Sequence, residues 1–573
     1  MKEIILCEKR TAIVNTDGHL LIEGGPGSGK TTIALLKAQR LINDTILAPN
    51  QKILFLSFAR ATIARVEEHA KAMLQREHTR SIEINTYHGF TWSLIQNYGY
   101  LLSTQKIIRL VTPPNAAALM AKITQENREA FQKELYQSQG LLCFDLFASV
   151  VREILKRSEK IRNIISDAYP VIIVDEFQDT NSTEWELIKL MGIKSRIVAL
   201  ADLQQRIYDF RGASITRIPE FNSHFQPGRF DLGKENHRSG DTDIAIFGDD
   251  MLTGANIGKS YQQVIVNKYK RNWQDNFAPL KYEVINSIKR LKKNHPDNKW
   301  SIAILVKSKQ ATLSISSSLS QTSGSLPSIH HEVLIDPSGP SLAAGVIGCL
   351  MEPFDSGDSC LRKLLVAVIN HMRGRKSDGP SQNDIKFIDA LEKFVETEKI
   401  TGKNRLLFMT EIRDIVEKRK NIVLSGSPVE DWLAIRKFFQ NATHENLKNI
   451  YSDALYLRLL NKGAILNEEL SEKWRNFQCY QDAMRIIETA LLQEHFSMAS
   501  RAWNGIFVMT IHKSKGKEFD EVIIWEDQYR SIVPPNASIQ DIERTRLAMR
   551  VAVTRARART SILTCQDQPC PLV

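Results

Sequence analysis

The sequence predicts an α/β protein with parallel sheets and added helical regions. His19 to Glu23 reads as a short strand that leads into a glycine-rich loop and then into apolar residues at helical spacing. Val171 to Val174 and Trp300 to Lys307 are continuously apolar, which is typical of strands buried inside a sheet. From Ser341 to roughly Ser500 the apolar residues recur at helical spacing instead. The chain therefore combines sheet-forming regions with a long helical region.

Size and composition indicate a globular protein with several domains. The 573 residues allow about four domains at roughly 150 residues each. Hydrophobic residues make up 43% and charged residues 25%, a balance that excludes a disordered or collagen-like chain. The formal net charge of +11 attracts polyanions, and nucleic acid is one of them. Many basic proteins have no such partner, so charge alone does not identify one.

The cysteines and the hydropathy pattern predict a cytoplasmic protein without a membrane partner. The seven cysteines are scattered and never form a C-x-x-C pair, which argues against a zinc or iron–sulfur site and indicates a reducing compartment. No apolar run approaches the ~18 residues of a membrane span, and the N-terminus lacks the apolar core of a signal peptide.

A phosphate-binding loop follows the first predicted strand. The segment GGPGSGKTT has the spacing G-x-x-x-x-G-K-T between a strand and a helix, so backbone N–H groups and the helix N-terminus face an anion. Lys30 reaches the β- and γ-phosphates in such a loop, and Thr31 gives its hydroxyl to Mg²⁺. The predicted nucleotide-binding residues of the loop are Gly24, Gly25, Pro26, Gly27, Ser28, Gly29, Lys30, Thr31 and Thr32.

Two adjacent acids at the end of the strand 171–174 complete a predicted hydrolysis site. Asp175 is predicted to hold Mg²⁺ through water, and Glu176 to polarise the attacking water as general base. Adjacent acids at a strand end are more often solvated turn residues. Their occurrence together with the glycine loop favours the catalytic interpretation and predicts ATP and Mg²⁺ as cofactors.

The segment VDEFQDTN, from Val174 to Asn181, resembles the Walker B segment of UvrD/Rep-like superfamily 1 helicases. The resemblance continues in order through ILFLSFAR (53–60), TYHGF (86–90), DLQQRIYDFRGA (202–213), ENHRS (235–239), TIHKSKGKEFDEVII (510–524) and VAVTRAR (551–557). It implies two RecA-like motor domains with helical insertions called 1B and 2B. The stretch from about 340 to 500 carries almost none of this signal.

The resemblance also assigns roles at the nucleotide site. Gln205 matches the residue that senses the γ-phosphate, and Arg238 and Arg555 match two arginine fingers. Gly516 and Glu518 match nucleotide-binding positions, with Glu518 on the ribose. Two guanidiniums that arrive from a second domain stabilise the transition state only when the cleft closes.

The DNA-contacting positions that the resemblance implies are Phe58, Arg60, Tyr87, His88, Tyr208, Phe210 and His512. Aromatic side chains stack on bases without regard to sequence, which suits a motor on single-stranded DNA. Ordinary core packing is the alternative for each aromatic residue, and His88 has a purely structural alternative.

The chain departs from the family pattern around the adenine ring. Lys9 stands where the family has a glutamine, and Thr32 and His237 replace an arginine and a tyrosine. These changes leave the preference for ATP over other nucleotides open. Arg550 occupies a position that is usually tyrosine.

The resemblance predicts the domain boundaries. Residues 1–90 and 141–222 form the first RecA-like domain 1A, and 91–140 form insertion 1B. Residues 223–340 and 501–573 form domain 2A, and 341–500 form insertion 2B. The serine-rich stretch from Thr312 to Ser328 is either a linker or a helix. With about sixteen residues after Arg557, no fused nuclease is expected at that end.

The leading functional hypothesis is an ATP-dependent translocase or helicase on single-stranded or tailed double-stranded DNA, with 3′ to 5′ polarity implied by the family. The alternative is a DNA-stimulated NTPase that serves a nuclease partner protein, as in antiphage systems such as Gabija. An NTPase without a nucleic-acid partner would require the DNA motifs to be accidental packing. The residues leave open whether RNA is accepted.

Overall fold

A computed structural model of the protein describes residues 6–44, 47–57, 60–102, 106–202, 214, 216–233, 240, 242–271, 275–295, 297, 299–334, 338–354, 356–376, 379–455, 464–497, 503–529, 531–533 and 536–573. None of the helices within these ranges has the length and apolarity needed to cross a membrane. All seven cysteines are free thiols. The chain divides into two compact units, one of Met1–Gly99, Ala148–Ile335 and Ala499–Val573, the other of Tyr100–Phe147 and Asp336–Met498.

The first unit contains two six-stranded parallel sheets, each forming an α/β core. The strands of the first core lie in the order β3-β2-β6-β7-β1-β8. Their bounds are β1 Leu20–Glu23, β2 Ile53–Ser57, β3 Ile82–Thr86, β6 Val171–Val174, β7 Arg196–Ala201 and β8 Gly228–Asp231. The helices of this core are α1 Glu8–Asn15, α2 Lys30–Asn43, α3 Arg60–Met73, α4 Arg76–Arg80, α5 Tyr87–Tyr98, α8 Phe147–Arg157, α9 Glu159–Ala168, α10 Ser182–Met191 and α11 Arg217–Phe225.

The second core repeats the parallel arrangement in the order β11-β12-β10-β13-β14-β9. Its strands are β9 Val264–Tyr269, β10 Ser301–Val306, β11 Glu332–Leu334, β12 Gly505–Thr510, β13 Phe519–Trp525 and β14 Ala556–Cys565. Its helices are α12 Ile244–Thr253, α13 Ala278–Asn294, α14 Lys309–Ser320, α23 Ile511–Ser514 and α24 Ile539–Val553. The predicted fold class of two RecA-like parallel-sheet domains is confirmed.

Burial explains the continuously apolar strands. Every residue of β6 and of β10 is buried, as expected for strands with a paired neighbour on each side and helices over both faces. The strand predicted from Trp300 to Lys307 is therefore confirmed. The serine-rich stretch begins inside α14, so the helical alternative is correct for its first part.

The short helix α1 is anchored to α2 by two basic side chains. Lys37 Nζ donates hydrogen bonds to the carbonyls of Ile13 at 3.4 Å and Val14 at 3.3 Å, at the C-terminal end of α1. Arg40 donates to the same Val14 carbonyl at 2.8 Å. Burial lowers the pKa of Lys37 to about 8. Cations at a helix C-terminus satisfy carbonyls that have no partner within the helix, which fixes α1 beside the loop that precedes α2.

Among its described residues, the second unit is helical apart from one two-stranded parallel sheet, β4 Arg109–Val111 and β5 Leu141–Cys143. Its helices are α6 Pro113–Leu119, α7 Arg128–Gln139, α15 Ser338–Met351, α16 Gly357–Gly374, α17 Gln382–Thr397, α18 Lys403–Asn421, α19 Pro428–Arg436, α20 Glu445–Leu455, α21 Ala464–Phe477 and α22 Ala483–Ser497. One apolar cluster runs through the helices from α15 to α22. The amphipathic helices predicted in this region are confirmed.

Close approach between helices α6 and α16 depends on Gly374. A Cβ atom at this position would lie 2.7 Å from the Pro114 carbonyl oxygen and 3.1 Å from the Ala118 nitrogen. Beneath the same helix, the Asp453 carboxylate accepts hydrogen bonds from His371 at 3.0 Å and Arg375 at 2.7 Å. The close approach of α6 and α16 joins the segment 100–147 to the later helices in one unit, and the Asp453 contacts join α16 to α20.

The structure moves three of the predicted domain boundaries. Strand β8 pairs in parallel with β1, so the first core extends past residue 222 to Asp231. The segment 141–143 pairs with β4 and belongs to the helical unit instead of domain 1A. Helix α5 continues the first core to Tyr98, past the predicted start of the insertion at residue 91. In each case backbone pairing or the continuation of a helix sets the domain boundary. Neither of these can be inferred from the positions of the motifs.

Candidate nucleotide-binding site

The glycine loop lies at the carboxyl end of β1, where ligands bind in open parallel sheets. Gly27 and Gly29 have positive φ angles of 77° and 87°, a conformation that favours glycine. At Gly24 an added Cβ atom would lie 2.6 Å from Ser28 Oγ, so the loop can close this tightly only with glycine. The Gly24 N–H donates to the carbonyl of Ala201 at 3.2 Å, which ties the loop to the end of β7.

The loop ends at the N-terminus of α2, a helix of 14 residues. Lys30 Nζ donates to the carbonyls of Gly24 at 2.6 Å and Gly25 at 3.0 Å, so its charge lies inside the loop. Thr31 and Thr32 occupy the first turn of the helix and are half-buried. Ser28 Oγ is buried and has no hydrogen-bond partner within the described residues, which fits a donor awaiting a phosphate oxygen. The residues present therefore fit the triphosphate of ATP.

Helix α1 adds one residue to this site that the sequence did not single out. Arg10 Nη2 donates to the Ser28 carbonyl at 3.3 Å and so supports the loop from outside. Lys9, at the position of the family's glutamine, is exposed. Its neighbour therefore makes the contact to the loop.

The two acids follow β6 at the same edge of the sheet. Asp175 is 5% exposed and its N–H donates to the carbonyl of Leu56 at 2.8 Å. Burial raises the pKa of Asp175, the neighbouring Glu176 raises it further, and the charges of Lys30 and Arg65 oppose the rise. Thr31 and Asp175 are the residues of this edge that would hold Mg²⁺.

Glu176 combines a strained backbone with a charged environment. Its φ of 54° is left-handed, a conformation that costs energy for a residue other than glycine and is common at functional sites. Burial acts to raise the pKa of Glu176, but nearby positive charges, led by Lys515 and Lys30, and the hydrogen bond from Gln178 together lower the pKa. The side chain is therefore held as a carboxylate, the form that accepts a proton from water.

Gln178 orients the Glu176 carboxylate, a role that the sequence did not reveal. Its Nε2 donates to Glu176 Oε2 at 2.6 Å. Its Oε1 accepts the N–H of Asp202 at 3.0 Å, and the side chain is 1% exposed. The amide thus joins the end of β6 to the end of β7 and restricts the rotation of Glu176.

A buried ion pair connects the two cores beside this site. Lys515 directly follows α23 in the second core. Its Nζ atom lies 2.5 Å from Asp179 Oδ2 in the first core. The side chains are only 2% and 4% exposed. Burial has the largest effect on the pKa of Glu176 and raises it. Among the neighbouring charges, Lys515 lowers this pKa most. The second core therefore contributes to the electrostatics of the predicted general base.

Arg555 lies at the end of α24 and is 2% exposed. It donates to the carbonyls of Val551 at 2.9 Å and Lys517 at 3.5 Å, which fixes the guanidinium within the second core. Its charge also helps to lower the pKa of Glu176, after the opposing effect of burial. Arg550, at the usual tyrosine position, makes a different contact: it donates to Asp249 Oδ1 at 2.9 and 2.7 Å and joins α24 to α12.

Glu518, the predicted ribose acid, is surrounded by arginines. Arg65 Nη1 donates to its Oε1, and Arg557 donates to its Oε2 from Nε at 3.4 Å and Nη2 at 3.3 Å. Gly516 has a φ of 75°, which allows the chain to turn between α23 and β13. Arg65 belongs to α3 of the first core, so this contact also crosses between the cores.

Among the predicted DNA-binding residues, Tyr87 requires a correction. It is 2% exposed and its hydroxyl donates to the Glu184 carbonyl at 3.1 Å, so its ring packs in the core and does not stack on bases. His88 is half-buried on α5, and His512 is exposed on α23. At Gly89 an added Cβ would lie 2.4 Å from Asn85 Oδ1, which explains the glycine of this motif.

Five predicted site residues lie outside the described residues: Phe58, Gln205, Tyr208, Phe210 and Arg238. The same holds for His237, and only the backbone of Arg60, the first residue of α3, is described. Their assigned roles stay predictions.

Comparison with known families and proteins agrees with this geometry. The chain matches the UvrD/REP helicase N-terminal domain over residues 7–143 and 125–226, and the UvrD-like helicase C-terminal domain over residues 381–567. The second match begins inside the helical region, in which the motifs carry almost none of the resemblance.

The similar proteins and solved structures include several that are named as helicases. A probable DNA helicase II homolog of Rickettsia conorii is 22% identical over 96% of this chain and 91% of that protein. The ATP-dependent DNA helicase PcrA of Leuconostoc citreum is 23% identical over 40% of this chain and 36% of that protein. The Pif1 helicase of Candida albicans matches 51% of this chain and 55% of its own at 12% identity and a TM-score of 0.24, too low to support an argument.

Proposed function

This chain belongs to the UvrD/Rep-like superfamily 1 helicases and is an ATP-dependent DNA helicase, and we propose that it moves along single-stranded DNA in the 3′ to 5′ direction and unwinds tailed duplexes. The observation that carries the proposal is the composition of the hydrolysis site. Its predicted base, Glu176, belongs to the first core, while Lys515 and Arg555 of the second core lower its pKa against the effect of burial. Hydrolysis then depends on the relative position of the two cores, which a motor requires.

At this site each side chain has a defined task. The glycine loop and Lys30 would bind the phosphates, and Thr31 and Asp175 would hold Mg²⁺, which would neutralise charge on the phosphate oxygens. Glu176, oriented by Gln178, accepts a proton from the attacking water. Arg555 stabilises negative charge on the phosphoryl group, together with the predicted Gln205 and Arg238.

The DNA interface is proposed on fewer described residues. His512 and His88 lie on helices that directly follow β12 and β3, at the carboxyl edges of the two sheets. The net charge of +11 supports a grip on the phosphate backbone. The polarity comes from the family resemblance alone. We assign the helical unit, Tyr100–Phe147 and Asp336–Met498, to insertions 1B and 2B.

Strand displacement tests the proposal directly. A labelled strand is released from duplexes that carry a 3′ tail, a matched 5′ tail or no tail. We expect ATP-dependent release from the 3′-tailed duplex only, and no release by the Glu176→Gln variant, which lacks the base. The variant Glu83→Gln removes a carboxylate elsewhere in the first core and is the matched control.

The other outcomes separate the competing hypotheses. Release from the 5′-tailed duplex alone would contradict the polarity. Hydrolysis that DNA stimulates without release from any duplex would instead favour an NTPase that serves another protein, such as a nuclease. Copurification of a nuclease is then the next observation to seek.

A further inference from the structure

An ionic cluster surrounds the predicted ribose acid. The side chain of Glu518 is 11% exposed and contacts two guanidiniums, one on each carboxylate oxygen. Arg557, 49% exposed, belongs to the same core as Glu518. Arg65, 21% exposed, belongs to the other core. Only one of the two contacts is therefore a connection between cores.

Arg65 lies near two functional groups at once. Besides its contact with Glu518, its charge opposes the rise in the pKa of Asp175, the predicted Mg²⁺ residue. Helix α3 thus brings one guanidinium into contact with the carboxylate assigned to the sugar, and the same charge acts on the carboxylate assigned to the metal. Arg65 lies after the motif segment ILFLSFAR (53–60) and outside it.

We propose that Arg65 is a positioning residue that competes with the nucleotide ribose for Glu518 and so links nucleotide binding to the contact between the cores. This inference rests on the proposed function of the site. A ribose hydroxyl donates its hydrogen bond to a carboxylate oxygen, and Arg65 occupies one of these oxygens. Nucleotide binding then displaces Arg65, and by reciprocity the Arg65 contact weakens nucleotide binding.

The balance of energies allows such an exchange. A partly exposed ion pair is screened by water and salt and contributes little, so a ribose can replace it. A second ion pair between the cores, Lys515 and Asp179, is almost completely buried and is not open to replacement in this way. Arg65 is therefore the exchangeable connection of the two.

Calorimetric titration of the full chain with Mg²⁺–ADP tests the proposal without reference to turnover. We expect Arg65→Gln to bind ADP about two- to fivefold more tightly than the wild type, the range that a partly exposed ion pair allows. The affinity ratio of the two proteins should fall towards one as salt rises, because salt screens the pair in the wild type. Arg65→Lys, which keeps the charge, should lie close to the wild type. In steady-state hydrolysis, KM should fall while kcat changes less.

Two further variants make the result specific. In a Glu518→Gln background, Arg65→Gln should have no additional effect on ADP affinity, because the coupling partner is absent. Lys52→Gln removes the same charge from an exposed pair with Glu83 inside the first core and should leave the affinity unchanged. This control separates a general charge effect from the contact itself.

Equal or weaker ADP binding by Arg65→Gln, or the same gain in the Glu518→Gln background, would overturn the inference. Lys30→Ala distinguishes that failure from failure of the proposed function. If Lys30→Ala abolishes ADP binding while Arg65→Gln has no effect, the nucleotide site stands and only the role of Arg65 is wrong. If Lys30→Ala still binds ADP normally, the site assignment itself fails, and the proposal for Arg65 with it.

Discussion

Two ion pairs between the cores, both formed by described residues, differ in burial, and we propose that this difference separates a permanent connection from an exchangeable one. Lys515 and Asp179 are at most 4% exposed, whereas Arg65 and Glu518 are 21% and 11% exposed. A buried pair loses much of its Coulomb energy to desolvation, but removal of one partner leaves an uncompensated charge. A partly exposed pair contributes little and can exchange with a ligand. Burial, more than the presence of an ion pair, decides which contact changes during a reaction cycle.

The largest effect is expected when the buried connection is broken. Lys515→Ala leaves Asp179 as a buried carboxylate without this ion-pair partner. It also removes the charge that lowers the pKa of Glu176 most. We expect a loss of about 3–5 kcal/mol in the free energy of unfolding and a strong fall in kcat. Urea denaturation and steady-state hydrolysis measure the two effects. The double variant Lys515→Met with Asp179→Asn should regain stability without regaining turnover. Recovery of both would show that Lys515 has only a structural role.

The ion pair between Arg550 and Asp249, which lies inside one core, sharpens the comparison. Asp249→Asn removes the charge that balances Arg550, a residue only 1% exposed. Both residues belong to the second core, so this pair does not connect the two cores. We expect about 1–3 kcal/mol lower stability in urea denaturation, as for loss of a charged hydrogen-bond partner. The kcat of the folded variant should stay within about threefold of the wild type, since a change of well under 1.4 kcal/mol is expected at the hydrolysis site. A much larger loss of kcat would mean that α24 transmits the change to Arg555.

A smaller change is expected from the amide that orients the base. Gln178→Ala removes the hydrogen bond that holds the Glu176 carboxylate, while the contacts of Lys30 with the glycine loop do not involve Gln178. We expect kcat to fall about ten- to a hundredfold, less than the loss of the base itself, with KM nearly unchanged. Single-turnover hydrolysis distinguishes this from slower product release. An equal fall in affinity for ATP would indicate that Gln178 supports the binding loop instead.

The smallest effect concerns the support of the glycine loop. Arg10→Ala removes one partly buried hydrogen bond to the Ser28 carbonyl, worth about 1 kcal/mol. We expect KM to rise a few-fold for ATP and GTP alike, because the contact is to the backbone of the loop. A change in the ratio of the two KM values would show that Arg10 reads the base. Steady-state hydrolysis assays of the wild type and the variant, with ATP and with GTP, measure these KM values.

The sequence predicted the parts of the site that depend on local order. A strand, a glycine loop and a helix follow one another in the chain, and so do the strand 171–174 and its two acids. The contacts that tune the site could not be predicted in this way. Lys515 and Asp179 are 336 residues apart, and the role of Gln178 depends on the N–H of Asp202 at the end of a neighbouring strand. Such pairs depend on tertiary packing, which spacing does not encode.

Tyr87 shows that the position of a residue in a motif does not predict its exposure. Its place in a motif predicted a base-stacking ring, but burial and the hydrogen bond to Glu184 assign it to the core. Exposure is a property of packing, and an aromatic residue at the start of a helix suits either environment. The predicted end of domain 1A at residue 222 was wrong for a related reason. Strand β8 joins the sheet of this domain through backbone pairing with β1.

The most direct test of the two-core motor is nucleotide hydrolysis by the wild-type protein with and without single-stranded DNA at moderate salt, with ATP and GTP compared. We predict strong stimulation of ATP hydrolysis by DNA, because the second core contributes Lys515 and Arg555 to a site whose base belongs to the first. Detectable hydrolysis that is indifferent to DNA would contradict the account and would indicate an NTPase controlled by another partner.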